Sequence, residues 1–302
     1  MRGDLGRIHG SVGVAIAKPS LVLRASTAPE LRAEGPRASR VMEFARGIME
    51  HAGVEAGVEF ELISDIPEHV GFGSGTQLAL AVGTAISELH GLGLGVEEMA
   101  AMLGRSRVSG VGVHAFKHGG FIVDGGHRVD EPESVPPMIF RAEVPDDWLF
   151  VIGVPDIDQG ISGGAERDAF RRLGPPPEEL VGGVARVVLM QMIPAILEGD
   201  IEAFGGAMTA LDYRFGEYWL EVQGGRFSHR VIEEGVEFLL GAGAYGAGQS
   251  SWGPAFYGLA RGEGQASELS DRLGGFLNGD GRSGRAFHTG PDNGGAEVTV
   301  TG

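Results

Sequence analysis

A turn rich in glycine, Ile66-Pro67-Glu68-His69-Val70-Gly71-Phe72-Gly73-Ser74-Gly75-Thr76, opens a run with apolar residues at Leu78, Ala81, Val82, Ala85, Ile86 and Leu89. That spacing predicts a helix closed by His90-Gly91. Glycines let successive backbone N–H groups point inward, and a helix N-terminus adds partial positive charge. Such a turn can hold phosphate or pyrophosphate. A tight strand-to-helix turn with glycines chosen for geometry alone has the same spacing. No Lys follows Gly75, which excludes a Walker-type P-loop, and the dinucleotide pattern G-x-G-x-x-G does not fit.

Other residues carry chemistry less specifically. Arg105 and Arg107 flank Ser106 and form a cationic pair suited to clamping an anion, or an ordinary arginine surface. Ser250 and Ser251 follow Gly248, where hydroxyls contact phosphate or cap a turn. Asp124, before Gly125-Gly126, is a carboxylate for a metal or for its own turn. Asp156 and Asp158 form a D-x-D that could hold Mg²⁺.

The elements that must position these residues follow from periodicity. The chain has 302 residues, enough for two compact lobes or one large one. Hydrophobic residues at 42% and charged residues at 22% are globular values. With no cysteine, disulfides, thiolate metal sites and cysteine nucleophiles are excluded. Twenty-four Lys+Arg against 41 Asp+Glu give a charge of −17, which argues against a nucleic-acid partner. No apolar run approaches ~18 residues, so no membrane partner is expected and a cytoplasmic location is.

Strands are predicted near Val12–Ile16, Leu21–Leu23, Val58–Leu62, Phe121–Val123, Trp148–Val154, Ala255–Ala260 and Glu297–Thr301. Helices are predicted over Val41–Ala52, Val96–Leu103, Glu178–Glu198 with a kink at Pro194, Ile201–Leu211, Arg230–Leu240 and Gln265–Leu277. A glycine-rich turn is predicted at Gly243–Gly253. Intermixed strands and helices predict an α+β protein of two lobes, residues 1–145 and 146–302.

Pro67, Gly71, Phe72, Gly73, Ser74 and Gly75 match P-x-x-x-G-[LF]-G-S-[SG], and the chain here resembles the GHMP kinase superfamily. Gly246-Ala247-Gly248-Gln249-Ser250-Ser251-Trp252-Gly253 is similar to that superfamily's C-terminal glycine motif. Within the superfamily the chain resembles the β-ribofuranosylaminobenzene 5′-phosphate synthases of methanopterin biosynthesis. Leu5–Gly10, Gly71–Thr76, Ser109–Phe116, Gly119–Gly126 and Gln249–Pro254 carry the likeness in order along nearly the whole chain.

The resemblance implies an S5-domain-2-like N-terminal lobe and a ferredoxin-like C-terminal lobe. It implies decarboxylating transfer of ribose phosphate from phosphoribosyl pyrophosphate to 4-hydroxybenzoate or 4-aminobenzoate, with Mg²⁺ and no organic cofactor. A homodimer is the expected assembly. Gly71, Gly73, Ser74, Gly75, Thr76, Ser109, Gly110, Gly112, Gly248, Gln249, Ser250 and Ser251 become the phosphate and substrate residues. His114 and His9 become the bases beside the ring substituent, and Arg105 the cation.

One departure bears on the reaction. Related small-molecule kinases carry an acid in an S-G-x-D turn, and here that turn is Ser109-Gly110-Val111-Gly112. A kinase of that type without its acid loses positioning of the nucleophile, which favours a reaction with no hydroxyl to deprotonate. An ATP-dependent small-molecule kinase, or a ligand-binding protein on the same fold, are the alternatives. The family's strand bearing Arg-x-His is not found ahead of Gly3, so either that strand is dispensed with or the start lies upstream.

Overall fold

The structure is a computed structural model that describes residues 3–157, 168–169 and 172–301. The N-terminal part runs β1 (Arg7–Ile8), β2 (Val12–Val14), β3 (Val22–Ala28), β4 (Arg32–Glu34), α1 (Ala38–Ala52), β5 (Gly57–Ser64), α2 (Ser74–His90), α3 (Val96–Met102), α4 (Val111–His118), β6 (Phe121–Asp124), β7 (His127–Arg128) and β8 (Met138–Ala142). β5 pairs antiparallel with β3 and parallel with β4, while β6 lies between β2 and β8. The apolar spacing of α1 buries Val41, Phe44 and Ile48 against Phe60 and Leu62 of β5 and Leu78, Val82 and Ile86 of α2. Gly53 and Gly91 end α1 and α2 in the left-handed conformation, donating back to the last-turn carbonyls.

The second part runs β9 (Trp148–Pro155), α5 (Glu178–Glu198), α6 (Ile201–Gln223), α7 (Arg230–Gly241), β10 (Gly246–Gln249), β11 (Phe256–Arg261), α8 (Gly262–Leu277) and β12 (Gly284–Thr289). Its sheet is antiparallel in the order β10-β11-β9-β12, the ferredoxin-like arrangement. β9 is buried on both faces, as its unbroken apolar run requires. Phe150 and Ile152 meet Met192, Phe204 and Leu211 of α5 and α6, whereas Leu149 and Val151 meet Val236, Leu239, Leu269 and Leu273 of α7 and α8.

Three elements differ from their sequence-based expectation. The last strand is β12, not Glu297–Thr301. Val298 and Val300 alternate, but they are exposed and their backbone joins no sheet. The chain after β12 instead returns to the N-terminal lobe, where the Asp292 N–H donates to the Ala15 carbonyl and the Ala296 N–H to the Phe116 carbonyl. Part of the predicted turn at Gly243–Gly253 is strand β10. In α5 a π-helical turn, Val188–Met192, absorbs the N–H that Pro194 lacks. Among the described residues α5 is also long and apolar enough to cross a membrane, by length and composition only; Val188, Met192, Ala195 and Ile196 are in the core.

α6 approaches β10 more closely than side chains allow. A Cβ on Gly246 would stand 2.1 Å from the Gly205 carbonyl oxygen, and one on Gly205 would stand 2.3 Å from that of Tyr245. Neither neighbour is a flexible side chain, so only backbone displacement makes room. Gly246→Ala is expected to lower the unfolding free energy by about 3 kcal/mol, read from urea melts. An unchanged midpoint would mean that α6 shifts freely.

Candidate active site

The glycine turns of the two halves meet. The Ser250 hydroxyl donates to the Gly71 carbonyl at 2.9 Å, and the Ala255 N–H donates to the Val70 carbonyl at 3.1 Å. Gly71 has φ +100°, and a Cβ there would stand 2.3 Å from the Ser250 carbonyl oxygen, so both conformation and space demand glycine. Beside this junction lies a cleft of about 1940 Å³ between the lobes.

One end of the cleft is cationic. α2 begins at Ser74, directly after Gly73, whose φ of +67° turns the chain into the helix. Ser74, Gly75 and Thr76 thus form the first turn; the Thr76 N–H donates to the Gly73 carbonyl at 2.9 Å, while the Ser74 and Gly75 N–H groups precede the helical ladder. Arg105 lies against this turn, its guanidinium 3.4 Å from Thr76 Oγ1, and Arg107 lines the same cleft. Burial, then the charges of Arg40 and Arg107, lower the Arg105 pKa from its ordinary value. An anion placed there relieves both effects. Between the two arginines, Ser106 is buried with φ +63° and its hydroxyl has no hydrogen-bond partner among the described residues.

Ser109, Gly110 and Gly112 do not form a free turn. Gly110 precedes α4, and Gly112 lies in its first turn, where a Cβ would make ordinary contact with Thr76 Cγ2 at 3.4 Å. The Gly112 carbonyl accepts from Gln77 Nε2 at 2.8 Å, which ties α4 to α2. Asp124 organises this helix start. Its Oδ2 accepts from the Gly110 N–H at 2.8 Å, and its Oδ1 from the Ser11 and Gly126 N–H groups at 3.1 and 2.9 Å.

The metal expectation is therefore corrected at two positions. Asp124 spends its oxygens on backbone donors. Asp156 is exposed, does not line the cleft, and accepts from the Ser283 hydroxyl. Asp158 lies outside the described residues. No group of three His, Cys, Asp or Glu suited to a metal occurs among the described residues.

The two histidines part company. His114 is buried in α4, its Nε2 2.8 Å from the Pro136 carbonyl, and it does not line the cleft. The helical turn carries it to the face away from the glycine turn, which removes it as a base for anything bound in the cleft. His9 does line the cleft, edge-on to His127 at 6.0 Å. Burial and the neighbouring His127 push its pKa down to about 4, so it is neutral at pH 7.

The opposite wall belongs to α6 and the turn after β10. Gln249 is structural: it accepts from the Ser228 N–H at 2.8 Å and donates to the Ser251 carbonyl at 2.7 Å. Ser250 holds Gly71, and Ser251 is exposed with φ +55°. Trp252 stacks on Trp219 at 4.4 Å, and Trp219 on Phe215 at 5.5 Å, giving a wall of parallel rings.

Asp212 stands one turn before Phe215 on the same face of α6, and the sequence reading missed it. A Cβ on Gly248 would fall 1.7 Å from Asp212 Oδ2, so glycine at 248 makes room for this carboxylate. The Tyr257 hydroxyl donates to the same oxygen, and burial pushes the Asp212 pKa up to about 7. The spacing of Asp212, Phe215 and Trp219 was its one available signal; a polar residue on an otherwise apolar helix face implies a cavity.

Residues 39–120 match the family model for the GHMP kinases N terminal domain, and residues 192–279 that for the GHMP kinases C terminal domain. The homoserine kinase of Cytophaga hutchinsonii superposes with a TM-score of 0.69 at 18% identity, covering 94% of this chain and 90% of that one. Fold and glycine turns together define a GHMP kinase superfamily member. Two archaeal proteins named beta-ribofuranosylphenol 5'-phosphate synthase are more similar in sequence. The one from Methanothermobacter thermautotrophicus is 36% identical over 286 residues, 86% of this chain and 84% of that protein. The one from Archaeoglobus fulgidus is 34% identical over 314 residues, 99% of this chain and 95% of its own. The chain belongs to this synthase family.

Gly73→Val places a β-branched residue at a positive φ, a strain of about 1–3 kcal/mol, and points a side chain into otherwise open space at the turn. The variant is expected to stay folded by circular dichroism and to bind pyrophosphate at least tenfold more weakly by calorimetry. Unchanged pyrophosphate affinity would reduce the turn to a connector.

Proposed function

We propose that this chain joins phosphoribosyl pyrophosphate to a 4-substituted benzoate, releasing CO₂ and pyrophosphate and forming a C-riboside 5′-phosphate. The juxtaposition of a cationic helix N-terminus and a wall of stacked rings across one cleft carries this reading. The first suits a pyrophosphate group and the second a flat aromatic acid. The relatives' name describes a ribofuranosylphenol, which favours 4-hydroxybenzoate over 4-aminobenzoate as the acceptor.

The α2 first turn and Arg105 hold the pyrophosphate and receive its charge as the ribose C1–oxygen bond breaks. Mg²⁺ enters as the counter-ion of the substrate, because substrate phosphates supply most of its ligands and the described residues offer no carboxylate cage. No organic cofactor is required, since the electron pair released on decarboxylation restores the ring. The same reading carries a cytoplasmic enzyme; light scattering tests the expected homodimer.

Incubation with phosphoribosyl pyrophosphate, Mg²⁺ and ring-labelled 4-hydroxybenzoate is expected to yield stoichiometric CO₂, pyrophosphate and labelled riboside. ATP-dependent phosphorylation of a small alcohol, with none of these products, would establish the kinase instead. Gly112 separates the two chemistries further. An aspartate there adds a negative charge beside the phosphate turn, and two charges ~4 Å apart repel by about 4 kcal/mol at an effective dielectric of ~20. Even halved, that exceeds a tenfold loss of affinity. Gly112→Asp is expected to raise the KM for phosphoribosyl pyrophosphate more than tenfold, and Gly112→Ala, which only touches Thr76, far less.

A further inference from the structure

We propose that Asp212 is the proton acceptor for the 4-hydroxyl of the aromatic substrate and the group that selects acceptors bearing a donor at that position. The inference rests on the proposed reaction and adds a residue and role to it. Three observations carry it. Asp212, Phe215 and Trp219 follow one another along the cleft face of α6, so a ring lying on the aromatic wall has a carboxylate at its edge. Gly248 is kept free of a side chain at the one place where a Cβ would collide with that carboxylate. The Tyr257 hydroxyl fixes Oδ2, which leaves Oδ1 with no hydrogen-bond donor in the described structure.

Among the described residues no cation is paired with Asp212. The ionisable group facing it is Tyr257 from β11; β10 presents only the backbone of Gly248, and its cleft-facing neighbours on α6, Met208, Leu211 and Phe215, are apolar. A carboxylate held without a cation in an apolar wall is a strong acceptor for a phenol. Burial pushes its pKa up to about 7, so acid and base forms coexist at neutrality, where a proton shuttle is most effective. His9, held near 4, is a much weaker base.

The step balances without a further reactant. The phenol O–H bond breaks and its proton passes to Asp212. The released density forms the bond from the ring carbon bearing the carboxylate to ribose C1. The C1–oxygen bond breaks, its pair leaving on pyrophosphate. The ring–carboxylate bond then breaks, CO₂ departs, its electron pair restores aromaticity, and Asp212 returns the proton to the phenolate.

Asp212→Asn tests this in two arms. By calorimetry, the wild-type protein is expected to bind 4-hydroxybenzoate at least tenfold more tightly than benzoate or 4-methoxybenzoate, and the variant to lose that preference. In turnover, wild-type kcat/KM for 4-hydroxybenzoate should rise with pH through about 7 as the carboxylate of the free enzyme ionises. The variant should lose at least 100-fold in kcat and that limb with it. Tyr257→Phe keeps the carboxylate but removes a hydrogen bond that lowers its pKa, so the limb should move to higher pH; this arm decides if the asparagine variant fails to fold. A retained preference and limb in Asp212→Asn, or an unmoved limb in Tyr257→Phe, overturns the proposal. Wild-type protein that makes no riboside would instead overturn the reaction, while the binding arm would still decide Asp212.

Discussion

The seam between α6 and β10 is the constraint on which the site depends. Backbone meets backbone at Gly205 and Gly246, and two residues further along the strand Gly248 lets the Asp212 carboxylate lie on the sheet. β10 then ends in the turn that carries Ser250 to Gly71 and Trp252 to Trp219. One close approach therefore fixes the carboxylate, the aromatic wall and, through Ser250, the glycine turn of the other lobe. Large side chains in the seam would have moved all three together, because interiors are close-packed and transmit displacement.

Charge is distributed to match. The molecule carries −17, yet the α2 N-terminus gathers Arg105 and Arg107, with Arg40 near enough to depress the Arg105 pKa. An anion approaching the molecule meets long-range repulsion and finds a complement in this pocket, where a helix terminus and a desolvated guanidinium act at short range. Affinity is thus local, and the surrounding acid excess disfavours nonspecific polyanions.

Much of this was legible in the sequence. The 3.6-residue period gave α1, α2 and α8, and the unbroken apolar run of Trp148–Val154 gave a doubly buried strand. The glycine turn ahead of α2 was legible because glycine spacing there answers to local backbone geometry. Residues whose role depends on distant contacts were not. His114 sits between glycines and reads as accessible, but helix α4 buries it against Pro136. Asp124 reads as a metal carboxylate until its three backbone donors are seen. Asp212 is one acid among 41 in sequence, and only the fold brings Gly248 and Tyr257 to it from residues 36 and 45 positions away. Val298 and Val300 alternate as a strand would, but the edge they would pair with is not offered to them.

Gly112 and Asp212 stand in different lobes, on opposite walls of one cleft. A kinase needs its acid beside the phosphates, where the accepting hydroxyl meets the transferring group; here that place is Gly112, packed on Thr76 at the α2 terminus. In the proposed reaction, a helix start without an acid gives the pyrophosphate N–H donors and the Arg105 guanidinium with no opposing carboxylate, which favours its departure as an anion. Asp212, one of the acids that line the cleft, stands on α6 in the other lobe, at the end of a ring-lined wall. Deprotonation there acts on a ring substituent remote from the bond being made, and conjugation carries the density to the reacting carbon. Separating the base from the phosphates also removes the repulsion that would otherwise raise its pKa further or weaken the anion site. In the proposed reaction the two-lobed frame thus accommodates carbon–carbon bond formation with the base on one wall of the cleft and the glycine turn on the other.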